Sequence, residues 1–308
     1  MWHDVLIIGG GPAGLSAGLI LGRCQRRVAI FDSGRPRNAM SRGLHGYLTR
    51  DGIHPLRFRE LGRAELAAYP SVTVHDQEIA RVERIEDGFE IMTARGIMFS
   101  GRLLLLATGR VDSVPDRPGF AENYGGGIYH CPYCDGWEHR GQPLVAYGSG
   151  RGVWDLAFDL LTWSPEVTVC VDDAEDRTPV PDWAGAVRVM REPVKRYVPA
   201  GREGVGRLEL ADGSAVPCGA LFFCSDCEQH SSIPSALGCR FSESGAVKCD
   251  GHAATNVPGL YVAGNVRGGL HLAITAAAEG VEAAVAINDA LREAEVRTAL
   301  ERDRAKAR

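Results

Sequence analysis

Cys131-Pro132-Tyr133-Cys134, followed at once by Asp135 and Gly136, puts two thiols three positions apart with a carboxyl beside the second. Two thiols at that spacing can close and reopen a disulfide. The reacting species is the thiolate, so an adjacent acid that takes or returns a proton sets when each sulfur reacts. Pro132 restricts the loop that joins them. The same CxxC can also be half of a zinc site, and Cys224-Ser225-Asp226-Cys227 repeats the spacing much further along the chain than compact zinc modules do. That second pair reads more simply as strand-end thiols. His130 precedes the first cysteine, and its imidazole would either help move protons near neutral pH or serve as a hydrogen-bonded structural residue.

Such chemistry needs elements that hold a cofactor next to it. Residues 5–8 form an uninterrupted apolar strand, Gly9-Gly10-Gly11-Pro12-Ala13-Gly14 follows, then a helical stretch over 15–22 and a second strand over 28–31 that ends at Asp32. Gly9, Gly11 and Gly14 fit the GxGxxG turn of a dinucleotide site. The glycines serve the turn, the close approach of a pyrophosphate and helix packing, and the acid after the second strand meets ribose hydroxyls. Short strands are expected over 72–74, 80–85 and 89–93, and a buried parallel-type strand over 103–107 leads into Thr108-Gly109. A proline-rich connection over 114–119 marks a boundary. A second strand–glycine–helix unit starts at 144–147 with Gly148-Ser149-Gly150, a helix over about 154–163 and a strand over 167–171. Strands over 221–224 and 259–263, Gly264-Asn265 and an alanine-rich helix over 274–291 follow, and residues 293–308 read as a charged, solvated helix end. The expected fold is α/β with two Rossmann-like nucleotide-binding domains, the second inserted into the first. The expected segments are 1–113 and 247–308 for the first nucleotide-binding domain and 114–246 for the inserted domain with the CxxC.

Composition narrows the function classes. The 308 residues include 38 glycines, roughly 12% against an ordinary 7%, so many tight backbone turns are required. A net charge of -5 supplies no basic field for nucleic acid. No apolar run approaches the roughly 18 residues of a membrane span, and the first residues lack the pattern of a signal peptide, so a cytoplasmic location is expected. Nine cysteines, an odd number, argue against a structural disulfide framework in a reducing compartment.

The first glycine motif, the Ala107-Thr108-Gly109 strand end, Cys131 to Asp135 with Gly136, and Gly264-Asn265 occur in the order of the low-molecular-weight thioredoxin reductase family, which the chain resembles over nearly its whole length. The resemblance implies an FAD-dependent dithiol/disulfide oxidoreductase, homodimeric, with Cys134 facing the flavin, Cys131 exchanging with substrate and Asp135 as acid/base. It implies FAD contacts at Gly9, Gly11, Pro12, Ala13, Gly14, Asp32, Ser33, Arg37, Asn38, His45, Ala107, Thr108, Gly109, Gly264, Asn265, His271, Leu272 and Ala273. His271, at the start of the last helix, and His130 are further candidates for proton transfer. No metal is expected.

Three departures shape the expected activity. Asn265 stands where the family usually has aspartate, and still offers an acceptor oxygen. Val153 and Trp154 replace the third glycine of the second motif. Where members that use NADPH carry a basic cluster for the 2'-phosphate, this chain reads Asp172-Asp173-Ala174-Glu175-Asp176. Carboxylates there repel a phosphate, although Asp172 or Asp173 could hold the ribose of NADH. The expectation is weak or absent NADPH use. It resembles the dithiol oxidase branch known from gliotoxin and holomycin formation, which takes a small-molecule dithiol and passes electrons to oxygen. The alternatives are a nicotinamide- or ferredoxin-dependent reductase of a thioredoxin-like protein, and a zinc-stabilised binding module.

Overall fold

The computed structural model describes residues 2–173, 175–201, 205–224 and 227–306. Ala174 of the acidic run, and Ser225 and Asp226 between Cys224 and Cys227, lie outside the described residues, as do Met1, residues 202–204, Ala307 and Arg308. The chain divides into two compact α/β units. One comprises Met1–Ala39, Pro55–Val111 and Glu228–Arg308, the other Met40–His54 and Asp112–Cys227. The first is discontinuous, as its returning glycine motif requires. Against the expected 113/114 and 246/247 boundaries, the second unit closes at Cys227 and takes in the early excursion Met40–His54.

The first unit is built on a parallel sheet. Trp2–Ile8 lies between Val28–Phe31 and Met98–Leu106, with Val5 opposite both Val28 and Leu103. Val72–His75 adds beyond Val28–Phe31, and Leu260–Val262 pairs with Met98–Leu106. Val5, Leu6 and Ile7 are fully buried, which fits an apolar run covered on both faces. The first half of Met98–Leu106 also closes an antiparallel meander with Gly88–Thr93 and Ile79–Ile85. Helices Pro12–Arg23 and Ala273–Lys306 cover one face of the sheet through Leu15, Ala17, Leu21, Ala283, Ala284 and Ile287. They approach so closely that a Cβ on Gly280 would lie 2.1 Å from the carbonyl oxygen of Ala13.

One helix departs from the sequence expectation and one follows it. Ala273–Lys306 continues past 291 as the expected solvated helix end, with Leu291 its last buried residue. Its extension is polar and tied back at Glu295, which pairs with Arg26 at 2.6 Å. Pro55–Leu66 was not expected, because its face toward the protein is marked by only Pro55, Arg59 and Leu66. An arginine on the inner face hides the apolar period on which such readings rest.

The second unit repeats the plan with a five-stranded sheet ordered Arg188–Met190, Val167–Val171, Leu144–Gly148, Ala220–Phe223 and Ile128–Tyr129, every neighbour parallel. Helix Gly150–Leu160 packs on it. This helix starts a turn before the expected 154, since Val153 and Trp154 enter the core as helical residues, 0% and 3% exposed. An antiparallel meander of Val194–Val198, Gly206–Leu210 and Ala215–Cys218 completes the unit. No helix is long and apolar enough to cross a membrane among the described residues.

Candidate active site

The first glycine turn is shaped by close backbone approaches. Gly9 has φ +116°, and a Cβ there would lie 2.1 Å from the Ala107 carbonyl oxygen; one on Gly14 would lie 1.9 Å from the Gly9 oxygen. Gly11 faces open space. Pro12 takes the first position of the helix, and no side chain caps it at Gly11, so the amides of Ala13 and Gly14 point out of the helix start as an anion site does. Beside the turn, the buried Thr108 Oγ1 has no hydrogen-bond partner among the described residues, and Gly109 turns the chain with φ +72°. An open glycine cradle, unspent helix amides and an orphaned buried hydroxyl fit the pyrophosphate portion of FAD.

Asp32 ends the second strand and is 6% exposed. Its Oδ1 accepts the Gly34 N–H at 2.9 Å, while Oδ2 accepts from Arg59 and, at 2.7 Å, from Arg63. Burial pushes this carboxyl up, but the Gly34 amide and the two guanidiniums outweigh it and hold it below the ordinary range. Two oxygens offer about four acceptor directions, so the arginines leave room for a ribose hydroxyl. Sequence reading found the acid and missed both arginines, which the unrecognised helix Pro55–Leu66 carries.

Further along this unit, an Arg37 N–H donates to His271 Nδ1 at 3.0 Å. A guanidinium only donates, so Nδ1 accepts and a neutral ring carries its proton on Nε2. Gly264 opens a short turn with φ +77°, and its N–H donates to Glu279 Oε2 at 2.7 Å. Glu279 also faces Arg267, and it went unnoticed in the sequence because it lies within an alanine-rich helical run. Asn265 follows in the same turn. Leu272 accepts the first bond of the last helix, from Ala276, and Ala273 is its first residue. Ser33 is exposed just after Asp32, and Asn38 is half-buried in the following loop.

In the second unit Cys131 and Cys134 form a disulfide. Cys131 sits at the head of the helical turn Pro132–Asp135, with Pro132 first in the helix, and its carbonyl accepts the amides of Cys134 and Asp135 at 3.1 and 3.2 Å. The local sequence dictates this shape: proline sets φ for the first turn. A Cβ on Gly136 would stand 2.6 Å from the Pro132 oxygen and 2.7 Å from the Trp163 ring. Sulfurs bonded to each other are not the thiolates that a zinc site needs. Burial pushes Asp135 up to about 7; nearby His45 pulls it down and Glu138 pushes it further up. A group titrating there can accept and return a proton near neutral pH. Tyr133 and Trp137 flank the pair on the surface, 63% and 64% exposed. The guanidinium of Arg140 covers Trp137 at 4.1 Å.

The two remaining candidates near this pair are held differently. Tyr124 OH donates to Asp112 at 2.7 Å, so the 2.8 Å contact with His130 Nδ1 is a bond donated by the imidazole. His45, expected among the FAD contacts, belongs to the second unit. It lies between Asp51 and Glu138, 3.6 Å from each.

The second glycine turn is filled from within. Gly150 donates its N–H to Asp176 Oδ2 at 2.8 Å, and the other oxygen of Asp176 accepts from the amide of Thr178. A Cβ on Gly148 would meet Cys224 Sγ at 3.1 Å, so Cys224 packs over the turn. Asp172, at the strand end where an acid would meet ribose, binds the hydroxyl of Tyr147 and, at 3.0 Å, Arg117. Asp173 accepts the Glu175 amide at 2.8 Å. Among the described residues no group of three or more His, Cys, Asp or Glu side chains could hold a metal ion.

The sequence pattern of the family described as pyridine nucleotide-disulphide oxidoreductase matches residues 3–176. A probable thioredoxin reductase of Arthroderma benhamiae is 31% identical, over 85% of this chain and 74% of its own length. The thioredoxin reductase sirT of Leptosphaeria maculans is 30% identical, over 92% and 93%. The crystal structure of HlmI superimposes with a TM-score of 0.91 at 33% identity, covering 99% of this chain and 98% of that one. The chain belongs to the pyridine nucleotide-disulphide oxidoreductase family, as a thioredoxin reductase-like, FAD-binding disulfide oxidoreductase.

Proposed function

We propose that the protein is a dithiol oxidase: it closes a disulfide within a small-molecule dithiol through Cys131 and Cys134 and passes the electrons to oxygen, with little or no use of NADPH. The observation that carries this reading is the Asp176 carboxylate on the Gly150 amide. A nicotinamide dinucleotide would bring its pyrophosphate to that turn, where it would have to displace an anion already bonded there. The capture of Asp172 by Tyr147 and Arg117 supports the same reading, because the ribose acid of this unit is engaged within the protein.

In this account a substrate thiolate attacks Cys131 Sγ and the Cys131–Cys134 bond breaks, leaving Cys134 as thiolate. The second substrate thiolate then attacks the substrate sulfur of the mixed disulfide, expels Cys131 and leaves as a cyclic disulfide. Asp135 accepts and returns the protons. FAD, when bound, would supply the two-electron chemistry between the resulting dithiol and oxygen, with hydrogen peroxide as the product. Gly9, Gly11, Pro12, Ala13, Gly14, Asp32, Ala107, Thr108 and Gly109 would hold its pyrophosphate and ribose. Arg37, Gly264, Asn265, His271, Leu272 and Ala273 would position the remainder. The family resemblance supports a homodimer.

An oxygen electrode tests the reading. With dithiothreitol as substrate, oxygen should be consumed one for one with dithiol, peroxide should appear, and NADPH should not drive disulfide reduction. Efficient NADPH-driven reduction of a thioredoxin-like protein would replace this reading with that of a reductase.

A further inference from the structure

Two stretches far apart in sequence meet at the dinucleotide cradle of the first unit, and one carboxylate is bonded between them. The turn Gly264–Arg267 follows the buried strand Leu260–Val262 and rests on the head of the first helix. A Cβ on Gly264 would lie 3.0 Å from the Ala13 Cβ and 3.6 Å from that of Ala276. Gly264 is itself buried, so its N–H cannot turn to water and needs a partner within the protein. Glu279, on the last helix, supplies that partner through Oε2 at 2.7 Å. The next residue, Gly280, is where the same helix approaches the Ala13 carbonyl. Residues 279 and 280 therefore fix both sides of one junction: the helix start whose free amides form the cradle, and the turn that carries Asn265.

We propose that Glu279 is a positioning residue for FAD, holding the Gly264–Asn265 turn against the cradle by accepting the Gly264 N–H. The proposal rests on the glycine cradle as the FAD site and is independent of the direction in which electrons run. What the position requires is an acceptor rather than a charge. The guanidinium of Arg267 stands 3.8 Å from Glu279 Oε1, beyond hydrogen-bond reach, and its NH1 lies 3.7 Å from the exposed Glu282. Burial pushes the Glu279 carboxyl up, and the pull of Arg267 and of the Gly264 amide does not restore it, so ionisation there is less favourable than in water. An apolar side chain would fill a site only 14% exposed at lower cost, but it would leave the Gly264 N–H unpaired. An unpaired buried N–H is expensive, and the turn would relieve it by moving away from Ala13, taking Asn265 with it. Glu279 touches no reacting atom and acts through the turn.

The test is titration of FAD with the full chain stripped of flavin, read by the change in flavin fluorescence on binding, beside urea unfolding of the same preparations. Glu279→Ala should raise the dissociation constant about tenfold, the loss of one buried hydrogen bond. Glu279→Gln, whose amide oxygen can accept the same N–H, should stay within about threefold of wild type. That rescue separates positioning from mere support of the helix, because a residue that only stabilised the fold would lower the urea midpoint and leave the affinity of the folded chain unchanged. Folded Glu279→Ala with wild-type affinity would overturn the proposal, and so would Glu279→Gln binding as weakly as Glu279→Ala. Should Glu279→Ala not fold, Glu279→Asp decides instead. Its carboxylate falls one methylene short of Gly264, so affinity should drop about tenfold, and wild-type affinity overturns the proposal. Wild-type chain that takes up no FAD would instead sink the cradle reading on which this one rests.

Discussion

A carboxylate oxygen of Asp176 lies 2.8 Å from the backbone nitrogen of Gly150, so the second glycine turn binds an anion that the chain itself provides. A dinucleotide must displace this charged hydrogen bond before gaining anything from the turn. Asp176→Ala should therefore tighten NADH binding about tenfold relative to wild type, which titration calorimetry reads directly. Equal affinities in the two proteins would mean that Asp176 is not what keeps the turn closed.

Cys134→Ser should leave FAD bound, because the proposed cofactor contacts lie on other residues, and should lower dithiol turnover by about a thousandfold or more. A flavin spectrum recorded beside the turnover assay separates the two effects. Undiminished turnover would show that the Cys131–Cys134 pair is not the redox centre.

Asp135 holds its proton more tightly in the folded protein, up to about 7, than the ordinary carboxyl near 4 of the unfolded chain. Between those two values the folded state binds more protons than the unfolded state, so stability falls as pH rises through that window and is level above it. The cost above pH 7 is on the order of 4 kcal/mol. Asp135→Asn removes it, so the variant should unfold at higher denaturant than wild type at pH 8 and gain much less at pH 4.5. Equal gains at both pH values would contradict the raised carboxyl.

Gly280→Ala should destabilise the first unit by about 1–3 kcal/mol through overpacking, since the added Cβ would sit 2.1 Å from the Ala13 oxygen. The displaced helix start should also weaken FAD retention. Urea unfolding and flavin content after gel filtration check both parts, and a variant with wild-type values in each would show that the two helices can part without cost.

The fold was largely legible because its signals are local. An apolar run ending at Ile8, glycines spaced for a turn and an acid after Phe31 specify one βαβ unit, and the weaker pattern around Leu144 and Gly148 repeats it. The redox loop was legible for the same reason, with its sulfurs, proline, acid and glycine all lying within six residues. What stayed hidden depends on partners distant in sequence. Nothing near Arg59 and Arg63 announces that they turn inward to Asp32. The acidic run was visible as charge, but the bond from Gly150 to Asp176 spans 26 positions and exists only once the strand Val167–Val171 has set the distance. The early excursion Met40–His54, which carries His45 into the second unit, also gave no local signal in the sequence.

The central claim is that electrons enter through Cys131 and Cys134 rather than from a nicotinamide. Its most direct test is the visible spectrum of the FAD-loaded protein without oxygen, after addition of NADPH or NADH in one cuvette and dithiothreitol in another. The account predicts bleaching by dithiothreitol alone, with the oxidised spectrum returning when air is admitted. Rapid bleaching by either nicotinamide would contradict it, and would mean that the dinucleotide displaces Asp176 from Gly150.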